Sequence, residues 1–349
     1  MKPYEELTVA GRVRRMRQLA GCALNDYGLA DVRLKFLRQA GNTLFRVNQV
    51  NPTPHPKINR YAPGQYLLRI HQPGYQTPAA IELELEWLSS MCQADLPVAE
   101  PRLTLAGKST TLVALPGIPG QHLCSLLRWV KGRELSRDEI RPHHYRALGE
   151  LVARLHQHAE HWQAPAGLDK RKYDWDGLFR QAGEDGMPSS EAWELLPPEY
   201  KEPFEIVSKK VGQVMDRLGK GPNVYGLIHG DIGMGANVIF WEGDVRIIDF
   251  DDSGFGYYLF DLAIILEDSQ DHQIRPEFRE SLLEGYNRLR PLPGDQAENL
   301  DLFLAAYAVY WSLFAVDAVR FHPEDREEIY ERMARYLRLV ENYLGQNIR

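Results

Sequence analysis

Apolar positions recur with a helical period at the start of the chain and with a strand period soon after. Val9, Val13, Met16, Ala20, Ala23 and Tyr27 follow helical spacing, and Asn25 to Gly28 supplies a stop, so a helix over about 8–26 is predicted. Strand-like runs follow at Arg33–Arg38, Leu44–Val50, Tyr66–His71, Thr110–Leu115 and Leu123–Val130. Between the third and fourth of these, Ile81, Leu85, Leu88 and Met91 mark a helix over Ala79–Gln93. Beyond Lys131 the period becomes helical at Tyr145–His156, Pro203–Leu218, Ile274–Leu289, Leu302–Val319 and Arg326–Leu344, with Pro203 expected at a first helical position. One short hairpin interrupts these helices: Asn237–Phe240, a WEGD turn, then Val245–Phe250. The stretches Asn51–Pro56 and Leu195–Glu202 contain prolines and read as surface loops. The pattern predicts an α+β protein with a small β-rich lobe over 1–127 and a larger, mostly helical lobe over 128–349, joined near Arg128–Leu135.

Composition narrows the picture modestly. At 349 residues the chain has length for about two domains, and 44% apolar with 26% charged residues excludes disordered and low-complexity classes. The charge balance, 41 basic against 48 acidic residues for a net −7, shows no basic patch of the kind nucleic-acid binding needs, so no nucleic-acid partner is expected. The longest mainly apolar run, Leu302–Val316, falls short of the ~20 residues of a membrane span and reads as a buried helix, so no membrane partner is expected either. Three cysteines, Cys22, Cys92 and Cys124, form no CxxC pair and read as reduced thiols. With no apolar leader segment at the N-terminus, a cytoplasmic location is expected.

The candidate chemistry lies in Leu227–Asp252, LIHGDIGMGANVIFWEGDVRIIDFDD. Two apolar segments each deliver a carboxylate, Asp231 and Asp249, and Asn237 lies between them. Buried runs do not end in carboxylates unless something pairs with them. Phosphoryl transfer uses such a set: one carboxylate to orient an acceptor hydroxyl and take its proton, and one carboxylate plus one amide oxygen as hard ligands for Mg²⁺. Asp251, Asp252, Glu267, Asp268 and Asp271 follow, with Tyr307, Tyr310 and Trp311 in the apolar helix. That group suits a cationic or amino-bearing substrate; it equally suits a solvated acidic loop beside a packed core helix.

HGD, then Asn, then IDFDD, resembles the aminoglycoside phosphotransferase family, also called the phosphotransferase enzyme family. Other segments match that family in order: Gly41–Val47 (GNTLFRV) its short phosphate loop, Tyr66–His71 (YLLRIH) its cation-bearing strand, Ile81–Leu88 (IELELEWL) the helix with its Glu, then Leu96-Pro97-Val98, Leu148–His156 and Asp261-Leu262-Ala263. The resemblance implies the bilobal protein-kinase-like fold and an ATP- and Mg²⁺-dependent kinase acting on a hydroxyl of a small molecule, with adenine against Leu127–Val130. It implies Asp231 as the catalytic base, Asn237 and Asp249 as metal ligands, and Arg69, Glu84, Asn42 and Thr43 as nucleotide-site residues. His229 and Asp261 take structural roles.

Two departures from the family pattern stand out. Arg69 replaces the usual Lys, and Asn237 lies six residues after Asp231 rather than five, with Gly233 and Gly235 able to absorb the extra residue. Gly41–Thr43 also reads as a plain hairpin turn. A protein Ser/Thr kinase and a nucleotide-binding pseudokinase are the alternatives. Gly233 stands where Ser/Thr kinases place Lys, and intact Asp231 and Asp249 oppose the pseudokinase.

Overall fold

The computed structural model describes residues 2–52, 56–57, 59–180, 191–268, 276–320 and 325–346. The chain forms two compact units: the first takes Met1–Arg133, Ala164–Asp169 and Phe240–Ile248, the second Glu134–Gln163, Lys170–Ile239 and Asp249–Arg349.

The first unit begins with α1 (Val9–Asp26), capped by Thr8, whose side chain accepts from the Gly11 amide at 3.2 Å. Strands β1 (Val32–Ala40), β2 (Asn42–Gln49), β3 (Tyr61–Ile70), β4 (Thr110–Val113) and β5 (His122–Val130) form an antiparallel sheet in the order β1-β2-β3-β5-β4. One face of that sheet presents Phe45, Val47, Tyr66, Leu68, Ile70, Cys124 and Leu126. These pack with Met16, Leu19, Ala20, Ala23 and Leu24 of α1, a stripe at helical spacing. Strand alternation sends Arg69, between Leu68 and Ile70, to the opposite face. Helix α2 (Pro78–Gln93) is capped by Thr77 and buries Ile81, Leu85, Leu88 and Met91 as the spacing predicts.

The second unit is mostly helical: α3 (Pro142–His161), α4 (Trp175–Phe179), α5 (Ala192–Leu195), α6 (Pro198–Leu218), α7 (Tyr258–Asp268), α8 (Pro276–Leu289), α9 (Gly294–Ala297), α10 (Leu300–Ala318) and α11 (Arg326–Gln346). Three short strands, β6 (Lys172–Tyr173), β7 (Tyr225–Ile228) and β10 (Gly254–Tyr257), make a small sheet in the order β6-β10-β7. Helix α10 is apolar all round and is the core helix of the unit. By length and composition Gly294–Ala318 would cross a membrane, yet 78% of its apolar window is buried inside the protein. Helices α3 and α8 meet backbone to backbone. A Cβ on Gly149 would sit 2.1 Å from the Leu282 carbonyl oxygen, and one on Gly285 2.0 Å from that of Arg146.

The remaining hairpin is β8 (Val238–Trp241) and β9 (Asp244–Ile247). Its β9 residue Arg246 is buried in the first unit, donating to the backbone carbonyls of Asn59, Arg60 and Lys131 at 2.9–3.0 Å.

Three expectations need correction. Pro203 lies inside α6, not at its start; Pro198 begins the helix, and Leu195–Glu202 is largely helical rather than loop. Burial of Tyr200, Phe204, Val207 and Val211 along one face outweighs the hydrogen bond Pro203 cannot donate. The strand expected to reach Phe250 stops at Ile247, because Asp249 adopts a left-handed backbone with φ 65°. Residues 53–55 of the first proline loop and 274–275 of the helix expected over Ile274–Leu289 lie outside the described residues.

Replacing Gly285 with Ala is expected to lower unfolding free energy by about 1–3 kcal/mol, the usual penalty of overpacking. Gly294→Ala, where an added Cβ meets nothing within 4 Å, serves as the control in the same urea titration.

Candidate active site

Asp261, in the first turn of α7, is fully buried, so its carboxylate must find donors inside the protein. It accepts from the backbone amides of His229 at 2.9 Å and Gly230 at 2.8 Å, and from His156 Nε2 of α3 at 3.1 Å. His156 is held neutral because burial lowers its affinity for a proton. Its Nδ1 therefore accepts from the Tyr286 hydroxyl at 2.9 Å, and that oxygen in turn accepts from Arg290 at 2.9 Å. Burial opposes ionisation of Asp261, but the hydrogen bonds from His156 and the Gly230 amide hold its carboxyl below the usual range. This network fixes the loop just ahead of Asp231. Gly230 has φ 79°, and a Cβ there would meet the Asp252 carbonyl and the Tyr173 hydroxyl, each at 2.7 Å. No other residue fits that position.

Asp231 follows directly. His229 Nδ1 accepts from its amide at 3.2 Å, and the imidazole rests against Phe250 with ring centroids 4.5 Å apart. The chain then turns back on itself: Gly233 and Ala236 exchange backbone hydrogen bonds at 3.0 and 3.1 Å. Asn237 leaves this turn with φ 64°, a left-handed value Asn tolerates better than most residues. The turn takes up the extra residue of the six-residue spacing and brings Asn237 back to Asp231. Its Nδ2 donates to the Asp231 carbonyl at 2.9 Å and to Oδ2 at 2.8 Å. Its Oδ1 carries no hydrogen bond among the described residues.

The surroundings of Asp231 are acidic. Burial, then the charges of Asp252, Asp249 and Asp251, push its carboxyl up to about 8, with the Asn237 amide opposing the shift. Two buried cations reach the segment after Asp249. Arg171 pairs with Asp252, and Lys170 donates to the Phe250 carbonyl at 2.9 Å and to Ser253 Oγ at 2.7 Å. Burial raises Asp252 as well, partly offset by Arg171. Neither cation nor Tyr173, whose hydroxyl donates to the Asp252 carbonyl at 2.6 Å, was legible in the motif; the only signal is the basic triplet Lys170–Lys172 ahead of an aromatic residue.

Among the described residues no group of three or more His, Cys, Asp or Glu side chains forms a metal cage. The donor set still fits Mg²⁺, which keeps several waters and takes one or two protein carboxylates. Asp249 and Oδ1 of Asn237 are the oxygen atoms that would hold such a cation.

In the first unit, Arg69 of the central strand β3 pairs with Glu84 of α2, Nη1 to Oε1, at 2.7 Å. They are 1% and 0% exposed. The Arg-for-Lys departure therefore keeps the strand-to-helix ion pair. Asn42 and Thr43 are also buried, and Asn42 Oδ1 accepts from the Gln72 amide at 3.3 Å. Gly41, with φ 65° between the paired residues Ala40 and Asn42, makes the reversal a tight hairpin.

Of the acidic and aromatic group, Asp271 and the Asp268 side chain lie outside the described residues. Tyr307 and Tyr310 are buried on α10 and packed against Phe260. Glu267 is occupied by Tyr336 and Arg332 of α11, which the sequence did not connect to it.

A β-sheet unit with a buried strand-to-helix ion pair, followed by a helical unit with an HGD loop, an amide and a second Asp, is a protein-kinase-like phosphotransferase arrangement. The sequence pattern of the phosphotransferase enzyme family matches residues 57–298, and the chain belongs to that family. The solved structure of a microcompartment-associated aminopropanol kinase superposes with a TM-score of 0.74 at 23% identity, over 95% of this chain and 98% of that one. An amicoumacin kinase, hAmiN, solved with AMP-PNP, Ca²⁺ and Ami, gives a TM-score of 0.72 at 19% identity, over 95% and 93% of the two chains. The amicoumacin kinase of Bacillus subtilis is 22% identical over 286 residues, 78% of each chain. The expected family and fold are thus met, and the chain is a phosphotransferase.

Two measurements follow from the charges. Asp231 binds its proton more tightly folded than unfolded, so in metal-free protein the native state holds the extra proton between pH about 4 and about 8. Stability should fall as pH rises through that window and level off above it. The thermal midpoint is expected to drop from pH 5 to pH 8, the drop to shrink in Asp231→Asn, and a divalent cation to restore it at pH 8. Separately, Glu84→Gln removes the charge paired with the buried Arg69 and is expected to cost about 3–5 kcal/mol by chemical denaturation.

Proposed function

We propose that this protein transfers the terminal phosphoryl group of ATP, with Mg²⁺, to a hydroxyl of a small molecule. The observation that carries the reading is the Asn237 side chain, which holds Asp231 through Nδ2 and keeps Oδ1 out of any hydrogen bond among the described residues, with Asp249 among the charges that act on Asp231. The relatives support it: by their names they are small-molecule kinases, and one was solved with an ATP analogue and a divalent cation.

Asp231 orients the acceptor hydroxyl and takes its proton as the oxygen attacks. A base poised near neutrality suits that role, and the surrounding carboxylates keep its proton affinity high. Asp249 and Asn237 Oδ1 hold the cation, which neutralises charge on the transferring group when bound. The Arg171–Asp252 pair and Lys170 hold the segment after Asp249 in place. In the first unit Arg69, set by Glu84, contacts the nucleotide phosphates through its planar fork. Asn42 and Thr43, being buried, support the hairpin beside that site. A cytoplasmic setting agrees with three free thiols, Cys22, Cys92 and Cys124.

Asp231→Asn should lower kcat about 10²- to 10⁴-fold, the range for loss of a general base, with the KM for ATP within a few-fold of wild type. Asp249→Ala should abolish cation-dependent ADP formation while circular dichroism stays native. A folded Asp249→Ala protein of near-normal activity would refute the metal assignment. Wild-type protein that binds ATP yet forms no ADP with any alcohol would refute the kinase reading.

A further inference from the structure

A ladder of aromatic rings runs through the second unit from the catalytic loop to α11. Tyr173, which a Cβ on Gly230 would strike, lies 6.1 Å from Tyr310, centroid to centroid. Tyr310 lies 6.3 Å from Tyr307, and Tyr307 lies 6.5 Å from Tyr336. At the far end Tyr336 donates its hydroxyl hydrogen to Glu267 Oε1. Arg332 donates from Nη2 to Glu267 Oε2 at 3.0 Å and from Nε to the Tyr336 hydroxyl at 2.8 Å. Its guanidinium lies over Trp311, 4.2 Å from the ring centroid.

This arrangement changes what the acidic residue can do. Both Glu267 oxygens are occupied and its charge is matched by Arg332, so it is a poor partner for an ammonium group. Arg332 is the group left with capacity. Its Nη1 carries no hydrogen bond among the described residues, and its side chain is 33% exposed. With Nε and one Nη2 hydrogen committed, the end-on edge of the fork is left uncommitted on a guanidinium held by Glu267, Tyr336 and Trp311. Such an edge matches the two oxygens of a carboxylate. The Tyr307 hydroxyl, likewise without a hydrogen bond among the described residues, feels both Glu267 and Asp231, whose charges join burial in raising its phenol. The Tyr307 ring links Tyr310, which packs on Tyr173 beside Gly230, to Tyr336 at the Glu267–Arg332 pair.

We propose that Arg332 reads the phosphate acceptor by binding a carboxylate, so that the acceptor is a hydroxy acid with its hydroxyl at Asp231, its carboxylate at Arg332 and Tyr307 between them. Glu267 is then a positioning residue that aims the guanidinium. The inference rests on the acceptor role given to Asp231 above.

The test uses matched probes on the full chain: 4-hydroxybutyrate and 6-hydroxyhexanoate against 4-amino-1-butanol and 6-amino-1-hexanol. Binding is followed by tryptophan fluorescence, with Trp311→Phe identifying the signal from the ring beneath Arg332, and turnover by ADP formation with ATP and Mg²⁺. At least one hydroxy acid is expected to change the Trp311 signal and neither amino alcohol to do so. Arg332→Lys, which keeps the charge but loses the fork, should raise Kd and KM about 10- to 100-fold with kcat at saturation within about threefold. Arg332→Gln should abolish the fluorescence response. Amino alcohols binding or turning over as well as the hydroxy acids, no probe binding at all, or wild-type affinity in either Arg332 variant would overturn the proposal. ADP formation from amino alcohols alone would leave the kinase reading standing and remove this one. Arg332-dependent hydroxy-acid binding without any ADP formation would remove the kinase reading and, with it, the acceptor role proposed for the bound acid, leaving only a carboxylate site.

Discussion

The second unit is organised around one buried carboxylate. Asp261 cannot be left without donors in the interior, and its donors are two consecutive loop amides and one imidazole. That requirement ties α7 to the His229–Gly230 turn and, through His156, Tyr286 and Arg290, to α3 and α8. The loop presenting Asp231 is therefore held by hydrogen bonds to rigid elements rather than by its own sequence. The contact of α3 with α8 through Gly149 and Gly285 belongs to the same construction, because it fixes where His156 and Tyr286 meet.

The charges in the molecule fall into two kinds. Some are settled inside the fold: Arg69 with Glu84, Arg171 with Asp252, Arg332 with Glu267. Each pair joins segments distant in sequence, and its attraction opposes the desolvation of both partners. Asp231 is of the other kind. It is buried among like charges, with only the Asn237 amide bonded to its carboxylate among the described residues, so the fold bears a local electrostatic cost there that a cation can relieve. Such a cost at the base proposed for the reaction fits the usual exchange between stability and activity.

Much of this was legible in the chain. Binary patterning located α1, α2, the five-stranded sheet, α10 and α11 to within a few residues, because in each an apolar face must be buried and its period sets the element type. The motif Asp231, Asn237, Asp249 stood out because carboxylates at the ends of apolar runs need a reason. Arg69 and Glu84 were found through their family context, and their pairing across 15 residues follows from a strand and a helix lying side by side.

The sequence by itself determined which segments become strands and helices, which family the chain belongs to and which carboxylates stand at the ends of apolar runs, since these depend on local period and on short spacings. The tertiary structure alone decided what touches what across long separations. It placed Tyr336 and Arg332 on Glu267, 69 and 65 residues away, and Arg171 on Asp252, 81 residues away. It turned Asn237 back onto Asp231 through a left-handed residue. It made Pro203 an interior helix residue, because burial of one face outweighed a local helix signal. Pairings of that kind depend on how elements pack, and no spacing along a chain encodes the packing.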